Sequence, residues 1–152
     1  MTRLSHDFEL VHGVNPEMDP AIMMHVAQAL LVIVGADGDV SPKEWERFEA
    51  RARLYGYPEP AIEQLKAFDY HSGRLEDYVA SIRKLGFERN VLHDAIVFSY
   101  ADGYHEKEHQ AVVRLGELLG LDARIVSAIE GIVQAEEGLQ EARLALLRPE
   151  KK

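Results

Sequence analysis

Apolar residues return every three to four positions through most of this chain, and the returns stop at a few glycine-rich points. Met23, Val26, Ala27, Leu30 and Val34 form one such series, at the period of an amphipathic helix. Asp19-Pro20 opens it, with aspartate at the N-cap and proline at the first helical position. Residues 35–39, Gly-Ala-Asp-Gly-Asp, end it. Ser41-Pro42-Lys43-Glu44 opens the next helix, because serine followed three residues later by glutamate is a capping box. Trp45, Phe48, Ala52 and Tyr55 mark its face, and Gly56 fits the left-handed position past its end. A short helix is predicted from Glu59 to Phe68. Another follows the loop at 71–73, with Tyr78, Ile82 and Leu85 inward and Gly86 at its end. Val91, Ala95 and Phe98 mark a helix that begins near Glu88. Val112, Leu115 and Leu119 mark one that stops at Gly120. Asp122 caps a long final helix that carries Ile125, Ile129, Ile132 and Leu139 and reaches Leu147, with Gly131 and Gly138 as weak points. No run of alternating β-branched residues suggests a strand. The expected fold is all-α, a compact bundle of about seven helices. Residues 1–18 form a short helix or N-terminal arm, residues 19–147 the helical domain, and residues 148–152 a polar tail.

The pattern repeats. Ala36-Asp37-Gly38 recurs as Ala101-Asp102-Gly103, each copy closing an apolar run and each followed by a glutamate, Glu44 or Glu108. Upstream, residues 26–33 lie over residues 91–98. Downstream, after a one-residue deletion, Leu54-Tyr55-Gly56 lies over Leu118-Leu119-Gly120. Self-similarity over about forty residues implies two copies of one unit, so the bundle is expected to consist of two pseudo-repeated halves.

Composition narrows the chemistry. The chain has 152 residues, no cysteine and a net charge of −9. Absence of cysteine removes disulfides, thiolate metal sites and thiol nucleophiles. The negative charge disfavours nucleic acid and anionic lipid as partners. Arg47, Arg51 and Arg53 share one helix, but Glu44, Glu46 and Glu49 are interleaved with them, as on a solvated face. The most apolar stretch, Ala29 to Ala36, is shorter than the roughly 20 residues of a spanning helix. No secretory signal pattern opens the chain, so a cytoplasmic location without membrane insertion is expected.

The acidic loops are the candidate site. Asp37, Asp39 and Glu44 offer carboxylates in the first, with the opening spacing of a calcium loop. That loop lacks the glycine at the sixth position and the late glutamate of an EF-hand. Asp102, Glu106 and Glu108 offer them in the second, where Tyr104 stands in place of Asp39. A purely structural role is the alternative: Ser41 and Glu44 cap a helix, and Glu106 and Glu108 favour a helix dipole. Calcium or magnesium suits such oxygens better than zinc.

Two units of apolar helix, Ala-Asp-Gly, acidic loop and glutamate-led helix resemble the tellurite-resistance TerB family, related to the N-terminal domain of DjlA-type co-chaperones. The stretch Ala-Asp-Gly-x-Val-Ser-x-x-Glu at 36–44 carries the resemblance, with Ala101-Asp102-Gly103 and Gly120-Leu121 in support, and it spans roughly residues 20–147. It implies a helical bundle with an acidic, divalent-metal-binding surface at Asp37, Asp39, Glu44, Asp102 and Glu108. It also implies a non-catalytic role, with a protein partner, in stress-response or membrane-associated assemblies. A metal-independent adaptor is the second expectation.

One segment points elsewhere. His105-Glu106-Lys107-Glu108-His109 matches H-E-x-x-H, which on a helix holds zinc between two histidines with glutamate as base; Glu130 stands where a third ligand would. A zinc-dependent hydrolase is therefore a third reading. Against it, His109 takes the place of Trp45 on the inward stripe, and the motif falls in the first turn after a loop. On the preceding helix, Asp94, Phe98 and Asp102 run along one side beside His93, a side that could feed the acidic loop.

Overall fold

The computed structural model describes residues 2–15 and 17–150. Its eight α-helices are α1 (His6–His12), α2 (Pro20–Val34), α3 (Pro42–Tyr55), α4 (Glu59–Lys66), α5 (Val79–Leu85), α6 (Glu88–Ser99), α7 (Glu106–Leu118) and α8 (Ala123–Leu147). Tighter 3₁₀ turns occupy Gly35–Asp37, Tyr70–Ser72 and Leu75–Tyr78. The expected all-α class holds. The helices starting at Pro20 and Pro42 begin where the capping signals place them, and α4 begins at Glu59 as expected. The final helix runs unbroken through Gly131 and Gly138.

Helices α2 and α6 form the centre and pack on each other. Both bury more than one face: Met23, Ala27, Ala29, Leu30, Leu31, Ile33 and Val34 on α2, and Val91 through Ser99, with the exception of His93, on α6. A helix apolar all round belongs inside, and the remaining helices surround these two. The apolar stretch is longer than Ala29 to Ala36: Pro20–Asp37 has mean hydropathy 1.6, enough by length and composition to cross a membrane. Its packing against α4, α5, α6 and α7 accounts for that apolarity.

The described residues before Asp19 are folded onto the bundle. Thr2–Arg3 (β1) pairs antiparallel with Glu17–Met18 (β2), a two-residue ribbon that the residue pattern does not announce. Leu4, Phe8 and Met18 are buried, and the Phe8 ring meets Tyr55 edge-on at 4.9 Å. The Ser5 backbone N–H donates to the Tyr55 carbonyl at 2.9 Å, closing the end of α3.

Gly35 is fixed by contact. A Cβ there would lie 2.6 Å from Cε2 of Tyr70, whose hydroxyl accepts a hydrogen bond from the Val40 N–H at 3.0 Å. The bare backbone thus lets Tyr70 lie across the turn and hold the loop after Asp37. Gly35→Ala is expected to lower unfolding free energy by about 1–3 kcal/mol through overpacking, seen as an earlier urea midpoint.

Candidate metal centre

The two acidic loops meet. The Gly35–Asp37 turn packs on α7, and this brings Asp37 to the N-terminal end of the helix that carries Glu108. His105 Nε2 lies 3.8 Å from Asp37 Oδ2 and 3.9 Å from Asp102 Oδ1. One ligand atom each from Asp37, His105 and Glu108 falls within a 4.8 Å circle. The loops cross over: Asp102 of the second lies beside Glu44 of the first, and Asp37 of the first beside Glu108 of the second.

Glu44 and Glu108 are held in the same way. Ser41 N–H donates to Glu44 Oε2 at 2.7 Å, and Glu44 N–H donates back to Ser41 Oγ at 3.2 Å. His105 N–H donates to Glu108 Oε2 at 3.1 Å. Capping therefore explains one oxygen of each carboxyl. The other oxygen, Oε1 in both, is buried with no hydrogen-bond partner, although the side chains are 1% and 0% exposed. Native proteins seldom leave buried polar atoms unpaired, so each of these two carboxyl oxygens is short of a partner.

Electrostatics agrees. Burial pushes the Glu44 carboxyl up to about 7, and the negative Asp102 adds to this against the Ser41 hydrogen bond. Burial likewise pushes Glu108 up to about 7, with Asp37 adding to it and the His105 hydrogen bond opposing it. Both folded pKa values lie above the ordinary glutamate value of 4.5. Between pH 4.5 and 7 the folded protein therefore holds protons that the unfolded chain has released, so stability must fall as pH rises through this window. His93, also raised, acts in the same direction. In a chelating buffer, urea unfolding should show higher stability at pH 5 than at pH 8, by on the order of 3 kcal/mol per carboxyl at most.

Of the six carboxylates expected at the site, Asp37, Glu44, Asp102 and Glu108 come together. Asp39 and Glu106 do not. The Asp39 side chain is 89% exposed and faces His71 Nε2 at 3.0 Å, because Gly38, at φ 145° and ψ −102°, turns the chain outward. Glu106 is exposed and accepts from Gln110 on its own helix. Sequence reasoning missed His105 as a member of the cluster. The clue was its place at the N-cap, one turn before Glu108.

The two histidines of the H-E-x-x-H segment are not both inside the helix. His105 has extended backbone, φ −87° and ψ 161°, outside the helix, so it does not share a helical face with His109. His109 Nδ1 instead meets Glu130 at 2.6 Å. Nor does Asp94 feed the acidic loops. It is buried two turns earlier on α6, bound to His12 at 3.1 Å.

No protein-family model matches the chain, and no curated protein matches it. Among solved structures, it is similar to a tellurite resistance protein from Nostoc punctiforme, known from a crystal structure at 1.85 Å resolution. The two share 29% identity and superpose with a TM-score of 0.82, over 97% of this chain and 93% of the other. Likeness along nearly the full length of both, on the helical frame just described, bears out the resemblance to the tellurite-resistance proteins.

Proposed function

We propose that this TerB-like module binds one divalent cation between its two acidic loops and does no covalent chemistry. The observation that carries the reading is the pair of buried, unpartnered Oε1 atoms on Glu44 and Glu108. Asp37, Glu44, Asp102 and Glu108 would hold the ion, with His105 at the rim. Four carboxylates suit magnesium, calcium or manganese, and the single imidazole leans toward manganese over calcium. Binding must expel the protons that the raised glutamates keep near neutrality. Isothermal titration of the chelated protein at pH 7 should show one ion per chain, with a heat that changes with the ionisation enthalpy of the buffer. Titration of Glu108→Gln should show binding weakened by about 100-fold. Undiminished binding in that variant, or a buffer-independent heat, would refute the reading.

A second reading, docking of a protein partner, draws on the free end of α8. Leu139, Leu144, Leu146 and Leu147 are all at least half exposed there, beyond Glu137, which pairs with Arg47. A partner captured by the full chain and lost on removal of residues 139–152 would support it; capture insensitive to that removal would not.

A further inference from the structure

The outer face of α8 carries a regularity of its own. From Ile125 the apolar residues step by three and four in turn: Ile125, Ala128, Ile132, Ala135, Leu139, Ala142 and Leu146. This is an unbroken heptad seam, with a large residue at every a position and alanine at every d position. Val126, Ile129 and Val133 bury the other side of the helix in the bundle, so the seam faces away from it. Ile132, Leu139 and Leu146 are 53%, 66% and 83% exposed. Ala128, Ala135 and Ala142 are exposed with them. Beside the seam stand Gly131 and Gly138, where a Cβ would meet nothing within 4 Å. Glycine is a poor helix former, and no packing among the described residues accounts for these two.

The seam is complementary to itself in one orientation. Two copies of α8 laid parallel would stack leucine on leucine and alanine on alanine, so wide layers would alternate with narrow ones. Laid antiparallel about a two-fold axis between Gln140 and Glu141, Leu139 of each copy falls on Ala142 of the other, and Leu146 falls on Ala135. Every such layer has one large and one small side chain, and the helices keep one separation. The charges choose the same register. Glu136 and Arg143 occupy e positions, which face each other across an antiparallel seam, so Glu136 of each copy meets Arg143 of the other. Sliding one helix by a heptad would instead set Glu136 against its own counterpart. The Glu136 side chain is 51% exposed even as it faces His93 Nε2 at 3.0 Å, which leaves it open to a second partner. On the other flank Gly138 falls beside Ala145, where no long side chain holds the helices apart. Each bundle lies behind its own α8, so the seam is open to the second copy, and a contact that uses the same patch on both sides closes at two chains.

We propose that the outer face of α8 is a self-association surface whose partner is a second copy of this chain, paired antiparallel through Ala135, Leu139, Ala142 and Leu146 and flanked by Glu136–Arg143 ion pairs. The proposal rests on the docking reading of α8 and gives it one occupant. Leucine-on-alanine layers and exposed ion pairs are a modest gain against the cost of joining two chains. The expected dissociation constant is on the order of 100 μM, so the ends of α8 are free in dilute solution.

Sedimentation equilibrium of the full chain from about 10 μM to about 1 mM should show monomer passing to dimer within that range. Salt at about 0.15 M screens charges beyond about 8 Å, which limits the repulsion between two chains of charge −9. Leu139→Glu should hold the chain as a monomer and, at an exposed position, leave its melting temperature unchanged. Glu136→Arg and Arg143→Glu should each weaken self-association by about 10-fold, through like charges set face to face. An equimolar mixture of those two variants should regain the native affinity as a mixed dimer, because both ion pairs return with their signs exchanged; only the antiparallel register allows that rescue. A chain that stays monomeric at the highest concentration, a dimer that survives Leu139→Glu, or a mixture no tighter than its components would overturn the proposal. A monomeric chain whose residues 139–152 still capture a different protein would overturn the second copy as occupant and leave the docking reading standing.

Discussion

At pH 8, saturating divalent cation is expected to raise the melting temperature by about 5–10 °C, and the Glu44→Gln, Glu108→Gln double variant is expected to lose that rise entirely. An ion present at a hundred times its dissociation constant adds ~2.7 kcal/mol, and a chain of this size gains roughly 2–4 °C per kcal/mol. The variant carries a second, opposite signature. Without metal, the native protein at pH 8 must keep two buried carboxylates charged beside Asp37 and Asp102. Glutamine removes that penalty, so the metal-free variant should melt above the metal-free native protein at pH 8 and close to it at pH 5. A simple loss of capping would destabilise at both pH values, because each carboxyl also accepts from an N-cap backbone N–H. Differential scanning fluorimetry of both proteins, with and without metal at the two pH values, separates these outcomes. A metal-induced rise that survives in the variant would place the ion elsewhere.

Asp94→Ala is expected to be the most damaging single substitution, at about 3–5 kcal/mol. Asp94 is a buried anion. Burial works against its charge, but the His12 hydrogen bond and then His93 overcome this and hold its carboxyl below the usual range. Its oxygens also accept from Tyr55. Alanine would strand His12 and leave Tyr55 without its acceptor. Because its folded pKa is lowered, the stabilisation Asp94 gives is present above the unfolded aspartate pKa and is lost as pH falls through the folded value. The variant and the native protein should therefore converge in stability in acid. Limited proteolysis should cut the variant first near α1, whose hold on the bundle runs through His12 and Phe8. A loss below 1 kcal/mol would mean that the cluster contributes little to docking α1.

Much of this was legible in the residues because helix ends are chemically marked. Ser41 and Glu44, Asp19 and Pro20, Gly56, Gly86 and Asp122 each perform the role their types suggest. The N-terminal segment was not legible. Leu4 lies in a link, Phe8 in α1 and Met18 in β2, so their burial has no period to detect. The acidic residues announced a site, but not its membership. Asp37 with Glu108 and Asp102 with Glu44 are tertiary pairs, made when the Gly35–Asp37 turn meets α7. Asp39 looked like a ligand by spacing, and one glycine dihedral directs it to solvent. His12 carried no local signal, since its hydrogen-bond partners lie 43 to 82 residues away.

The end of α8 behaves differently from the rest of the molecule. Residues 138–147 are all exposed, about 15 Å of helix. A helix that short does not persist alone in water. It survives as an extension of the packed turns before it, and Gly138, about 1 kcal/mol poorer than alanine in a helix, stands where that support ends. The coil–helix balance of these three turns should therefore shift smoothly with temperature, far below global melting. Circular dichroism at 222 nm should show a sloping native baseline. Gly138→Ala should flatten that baseline without moving the midpoint, so the molecule's outermost helix reports temperature while its core does not.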